Sequence, residues 1–528
     1  MDVKSLIEQG RAVLGIEFGS TRIKAVLIDE DGNPVAQGGH VWENRLENGL
    51  WTYSEEDIRK GLQDCYANLR GDVKNRYGVE LKSLSAIGIS AMMHGYLAFD
   101  ASGKLLAPFR TWRNTNTGKA AGELSALFNF NVPLRWSISH LYQCILDGES
   151  HAKDIAFQTT LAGYVHWALT GEKVLGVGDA SGMIPVDSAT GDYDAEMVGK
   201  FDALVAPYGF GWKLRDIFPK VLTAGENAGC LTEAGAKLLD PSGNLKAGIP
   251  FCPPEGDAGT GMVATNSVRQ RTGNVSAGTS SFSMIVLEKA LSRPYEVVDM
   301  VTTPDGSPVA MVHCNNCTSE INAWVNIFKD FETLMGRTPD EGALYSKIFG
   351  TVLDGDPDCG GVLSYNFISG EPVIGLMEGK PVLIHDAQSR FTLSNLMRSQ
   401  LYASVAVLKV GNEVLFRNEK VKVDKLTAHG GLFKSTDAGQ RVLAAALNSP
   451  VSVMETAGEG GAWGMALLGA YMVKRQPGQA LADYLDEKVF KGNAGTEIRP
   501  SAEDVEGFDR YMQAYRSSLG IFNSLKQD

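Results

Sequence analysis

Cysteine is scarce in this chain of 528 residues: seven residues, an odd number, scattered at positions 65, 144, 230, 252, 314, 317 and 359. That pattern excludes a disulfide framework. Cys314 and Cys317 are spaced like a metal or redox pair, but no second Cys or His pair stands at zinc-site distance. Two reduced structural thiols is therefore the expected reading. Long apolar runs are also missing. Ala462 to Val473, the longest nearly uninterrupted one, spans about 12 residues, short of the roughly 18 to 20 that a membrane helix needs. The first ten residues carry acids within a short apolar stretch and no small-residue cleavage site, so no secretory signal is expected and the chain is read as cytoplasmic. Positive charge is deficient too. The net charge of −13 and the lack of any Lys/Arg-rich run exclude a general affinity for nucleic acid or anionic membrane.

What is present is the composition of a large soluble enzyme. Hydrophobic residues make up 44% of the chain, enough for two cores, and 59 glycines point to many tight turns. Strands alternate with helices in the first half, which suggests α/β architecture with ligand contacts at strand ends. Val13 to Ile28 reads as a hairpin, Glu55 to Leu69 as a helix and Leu84 to Ser90 as a strand. Ile249 to Asp257 reads as a buried strand stopped by Pro253 and Pro254, which places Asp257 at a strand end. In the second half Leu396 to Val410 reads as a helix, Val423 to Ala428 as a strand and Ser435 to Asn448 as the next helix. The segment 476–528 is polar with a helical pattern and carries no legible motif.

Three features point to chemistry. Leu14 to Ile28 folds two apolar runs around Gly19-Ser20-Thr21, and Gly273 to Leu287 repeats the shape around Gly278-Thr279-Ser280. Glycine lets a turn approach a ligand, and successive amides with small hydroxyls make a phosphate-sized anion nest. Between the two stands Glu255-Gly256-Asp257-Ala258, an acid flanked by small residues. Two such hairpins, one per half, suggest a nucleotide held from both sides. Taken singly, each turn is an ordinary hairpin and Asp257 an ordinary helix cap.

In this order the motifs resemble those of the FGGY carbohydrate kinases. Glu17-Phe18-Gly19-Ser20-Thr21 stands at the family's first phosphate hairpin and Gly278-Thr279-Ser280 at its second. Ile87 to Gly95 is similar to the pentulose-kinase substrate strand, and Thr111-Trp112-Arg113, Leu169-Thr170-Gly171 and Asp179-Ala180-Ser181-Gly182 follow at the usual distances. Gly360-Gly361, Gly370-Glu371-Pro372, Gly430 to Ser435 and Glu459 to Ala466 resemble the adenosine-side motifs. The resemblance runs from about residue 11 to about residue 475. It implies two actin-like (ribonuclease H-like) ATPase domains around a cleft, placed at 11–265 and 270–528. It implies ATP and Mg²⁺ as cofactors, and phosphorylation of a ketopentose, D-xylulose or L-ribulose being the leading choices. Another small ketose or polyol, and an actin- or heat-shock-type nucleotide switch without sugar transfer, are the alternatives.

The residue roles implied are equally specific. Asp257 would be the general base. Met93, His94, Trp112 and Arg113 would join it against the sugar. Gly19, Ser20, Thr21, Lys24, Gly278, Thr279, Ser280, Gly430, Gly431 and Lys434 would bind ATP, and Glu17 with Asp257 the metal. The expected partner is a small sugar, with a homodimer as the assembly allowed for. Three departures stand out. Glu17 replaces the family's usual aspartate, the segment Ser137 to Gln143 lacks the lysine and tryptophan many members carry, and no arginine follows Glu371.

Overall fold

The computed structural model describes residues 2–433, 437–454, 460–492 and 495–524. Its first sheet has five strands: β1 (Val13–Phe18), β2 (Arg22–Ile28), β3 (Pro34–Val41), β4 (Ala86–Ala91) and β5 (Glu255–Gly256), in the spatial order β5-β4-β1-β2-β3. β1, β2 and β3 form an antiparallel meander, and β4 then runs parallel to β1 and β5 parallel to β4. Between β3 and β4 lies the helix α1 (Glu55–Tyr77). Its start is set by a capping box in which Ser54 accepts from the Asp57 amide at 3.1 Å and Asp57 accepts from the Ser54 amide at 3.2 Å.

Ile249 to Asp257 departs from the strand expectation. Proline lacks an amide, so Pro253-Pro254 interrupts the ladder after an isolated bridge at Phe251, and pairing resumes only over Glu255–Gly256. Asp257 is then the first residue of α2 (Asp257–Ala264), with Gly256 as its N-cap.

The second half repeats the plan as a seven-stranded sheet. It contains β6 (Thr272–Ala277), β7 (Ser281–Val286), β8 (Asp299–Thr302), β9 (Pro308–Cys314), β10 (Lys425–His429), β11 (Val451–Val453) and β12 (Thr496–Ile498), ordered β8-β9-β7-β6-β10-β11-β12. A long buried helix, α3 (Leu393–Glu413), packs on β7 and β9. The segment beyond 476, unreadable in the sequence, supplies edge strand β12 and the helix α5 (Ala502–Ser517), whose Phe508, Tyr511 and Tyr515 are fully buried in the second core.

Period-two alternation assigns the faces of the first sheet. Leu14, Ile16, Ile87 and Ile89 join a core with Ile58, Leu62 and Leu69 of α1. Val13, Val26 and Ala86 face the other way, into a core with Trp463, Met465 and Leu467 of α4 (Gly460–Lys474). So α4, which by sequence position belongs to 270–528, lies against the first sheet. Small residues make this approach possible: a Cβ on Gly15 would stand 2.0 Å from the Ala462 carbonyl, and one on Gly464 2.0 Å from that of Thr260 in α2. The α4 core also takes Met284, Val286, Val309 and Met311 from the second sheet, so the two halves share buried apolar surface.

Candidate active site

The first hairpin is a tight turn with its carbonyls tied down. The Gly19 amide donates to the Arg22 carbonyl at 3.0 Å, while the Trp42 indole and amide donate to the carbonyls of Gly19 and Thr21 at 2.7 and 3.2 Å. Ser20 Oγ accepts from the Trp112 indole at 3.1 Å, which joins the turn to the segment 111–113. The second hairpin is braced from behind. Gly278 donates to the Ser280 carbonyl at 2.9 Å, and Thr279 and Gly278 accept from the amides of Cys317 and Thr318 at 2.9 and 3.0 Å. The fully buried Glu371 holds that bracing loop by accepting from the amides of Asn315 and Asn316 at 3.0 and 3.2 Å. Cys314 and Cys317 are free and buried in it, and burial pushes the Cys314 thiol well up and that of Cys317 up to about 12. Gly430 closes the end of β10 with φ +110°, where a Cβ would lie 2.3 Å from the Ala277 carbonyl. Only glycine fits that turn.

Between the halves lies a cavity of about 350 Å³. The first half lines it with Glu17, Ser20, Met93, His94, Trp112 and Asp257, and the second with Asn274, Phe282, Met311, His313 and His429. Asp257 Oδ1 accepts from the Met93 amide at 3.1 Å. Burial raises its pKa to about 6, against the hydrogen bonds from Met93 and Ala258 that favour the ionised form. Glu17 faces Lys24 across the β1–β2 pair, and the first amides of α4, at Gly461 and Ala462, donate to its carboxylate. Burial first, then the charge of Asp257, raise Glu17 to about 7, opposed by Lys24 and by those amides. A buried carboxylate whose charging is made costlier by a second acid nearby is a donor set that a divalent cation relieves. Glu17 and Asp257 therefore fit a divalent cation.

His94 occupies the left-handed region at φ 70°. Its ring lies parallel to that of Trp136, with centroids 6.4 Å apart. Burial, then the nearby Arg135, depress its pKa well below the ordinary value, so it is neutral. With Nδ1 3.2 Å from the Gly182 carbonyl, an acceptor, the proton sits on Nδ1 and Nε2 is left as an acceptor.

Not every expected residue reaches the cavity. The Arg113 guanidinium stacks 3.7 Å over the Trp51 ring, outside the lining. Gly19, Thr21, Gly278, Thr279, Ser280, Gly430 and Gly431 lie in the turns and loops that follow strands, and Lys24 lies within β2; none of them lines the cavity. Lys434 lies outside the described residues.

The structure also supplies groups to which the sequence reading gave no role. Arg135 lines the cavity. Directly behind Asp257, Glu255 accepts from the amides of Gly178 and Asp179 at 3.2 and 2.9 Å, and Asp179 accepts from the Thr160 hydroxyl at 2.6 Å. Burial raises both acids, and Asp179 Oδ1 has no partner among the described residues. Asp179 sat in a legible motif and Glu255 stands two residues before Asp257. Their meeting is set by tertiary contact, and Arg135 carried no signal at all.

The N-terminal domain of the FGGY family of carbohydrate kinases matches residues 12–264 and its C-terminal domain residues 273–473. A xylulose kinase of Escherichia coli is 26% identical over 298 residues, covering 54% of this chain and 56% of that protein; over this match the chain spans about half the length of its relative. A xylulose kinase of Lactococcus lactis is 20% identical over 97% of this chain and 98% of its own length. The crystal structure of a xylulose kinase from Rhodospirillum rubrum superposes with a TM-score of 0.77 at 16% identity, covering 98% of this chain and 99% of that one. Plasmodium falciparum glycerol kinase with ADP gives 0.75 at 16%, with 98% and 99% covered. At such identities the structures speak to the fold, and they bear out the two actin-like domains. With both family domains matched over most of its length, this chain belongs to the FGGY family of carbohydrate kinases.

Proposed function

We propose that the chain phosphorylates a small ketose with ATP in the cytoplasm, a ketopentose such as D-xylulose or L-ribulose being the substrate class. The observation that carries this reading is Asp257, a carboxylate poised near neutrality in a cavity with walls from both halves. The sugar hydroxyl gives its proton to Asp257 as its oxygen attacks the γ-phosphorus, and the bond to the β-phosphate oxygen breaks to leave ADP. Such a reaction needs alignment and charge neutralisation more than covalent help from the protein. Glu17 and Asp257 would hold Mg²⁺, which when bound would supply neutralisation of phosphate charge. His94 Nε2 accepts a sugar hydroxyl, and the two glycine-turn hairpins face the phosphates. An ADP-release assay across ketoses, polyols and sugar acids tests the reading. Sugar-dependent release is expected, with a ketopentose giving the highest kcat/KM, and none above background with any sugar would reject it.

Two outcomes follow. A base must be ionised to accept a proton, so kcat/KM should rise with pH up to about 6, roughly tenfold per unit below it, and level off above pH 7. A profile flat from pH 5 to 8 would show that Asp257 does not set the rate. His94→Ala should raise the sugar KM about tenfold and the ATP KM less than twofold, since one hydrogen bond is lost on the sugar side only. Equal changes in both would mean that His94 serves the fold.

A further inference from the structure

Arg135 is the one cation among the described residues lining the cavity. Its backbone is fixed beside His94: the Gly95 amide donates to the Arg135 carbonyl at 3.4 Å, and the next residue is the fully buried Trp136. Its side chain is held from the other half of the molecule, where Nη2 donates to Oδ2 of Asp299 on β8. Asp299 is itself anchored, with Oδ1 accepting from Asn131 Nδ2 at 3.0 Å, and that amide also donates to the Val298 carbonyl at 3.0 Å. Among the described residues, Nε and Nη1 of Arg135 take no partner.

From this geometry we infer that Arg135 is a specificity residue that donates to hydroxyls of a neutral sugar at the His94 end of the cavity, and that Asp299 sets the preference for neutral over acidic sugars. The inference deepens the kinase reading and rests on it. A guanidinium pre-paired with a carboxylate keeps spare donors but little net charge. A sugar carboxylate at this end would have to draw Arg135 away from Asp299, leaving a mostly buried aspartate with Asn131 alone.

The test uses the full chain with neutral ketoses and sugar acids, read by ADP release and, without ATP, by calorimetric sugar binding. Arg135→Met should raise the sugar KM and Kd about tenfold or more, with kcat within about threefold and the ATP KM within about twofold. Arg135→Lys, which keeps the charge but not the fork, should recover part of that loss. Asp299→Asn should move the ratio of sugar-acid to neutral-sugar binding about tenfold toward the acids. An unchanged sugar KM and Kd in Arg135→Met, or an unmoved ratio in Asp299→Asn, would overturn the inference. If the wild type binds sugars but releases no ADP, the kinase reading fails, and the binding ratios still decide the role of Arg135.

Discussion

Asp257→Asn is expected to lower kcat by about 10² to 10⁴ while leaving binding of ATP and sugar nearly intact, the usual contribution of a positioned general base. The amide is close to isosteric, and its oxygen can still accept from the Met93 amide that fixes the carboxylate at 3.1 Å, so the cavity wall stays in place. What disappears is the acceptor for the hydroxyl proton. The substitution also removes the negative charge that raises Glu17, so metal affinity should weaken and the rate should be measured at saturating Mg²⁺. Steady-state kinetics with calorimetry checks this. A variant keeping more than a tenth of wild-type kcat would remove Asp257 from the proton transfer.

Gly464→Val should destabilise the protein by about 3 kcal/mol or more, beyond the usual range for overpacking because the clash is with backbone. The position of its Cβ lies 2.0 Å from the Thr260 carbonyl and 3.3 Å from the Ala264 amide, both in α2. No rotamer of valine moves that atom, so α4 must shift. The shift reaches the site, because the first amides of α4 at Gly461 and Ala462 hold Glu17 and α2 begins at Asp257. Loss of thermal stability should therefore come with loss of activity below the melting transition. Thermal unfolding checks the first effect, and a midpoint within about 2 °C of the wild type would show that the helices are not packed this closely.

The local features of this protein were readable because local chemistry determines them. Apolar runs around Gly19-Ser20-Thr21 and Gly278-Thr279-Ser280 specify the two hairpins, and helical apolar spacing marks the helix that begins at Glu55. The grouping of Met93, His94, Trp112 and Asp257 was reached through resemblance, and the cavity does bring those four together. Arg113 shows the limit of that route. Neighbouring side chains in an irregular segment leave in different directions, and here Trp112 turns to Ser20 while Arg113 turns to Trp51. The strand read over Ile249 to Asp257 is in fact broken, because the two prolines cannot donate to the ladder; pairing resumes over Glu255–Gly256 and a helix begins at Asp257. Long-range pairings had no local signature. Gly464 in α4 meets Thr260, Asp179 meets Glu255, and Arg135 meets Asp299 across 164 residues of chain.

The most direct measurement is a phosphorus NMR time course of the purified chain with MgATP and the ketopentose that gives the fastest ADP release. The account predicts one new sugar phosphate ester for each ADP formed, with little inorganic phosphate and almost no ATP turnover when the sugar is left out. Inorganic phosphate as the main product, released at the same rate with and without sugar, would contradict it.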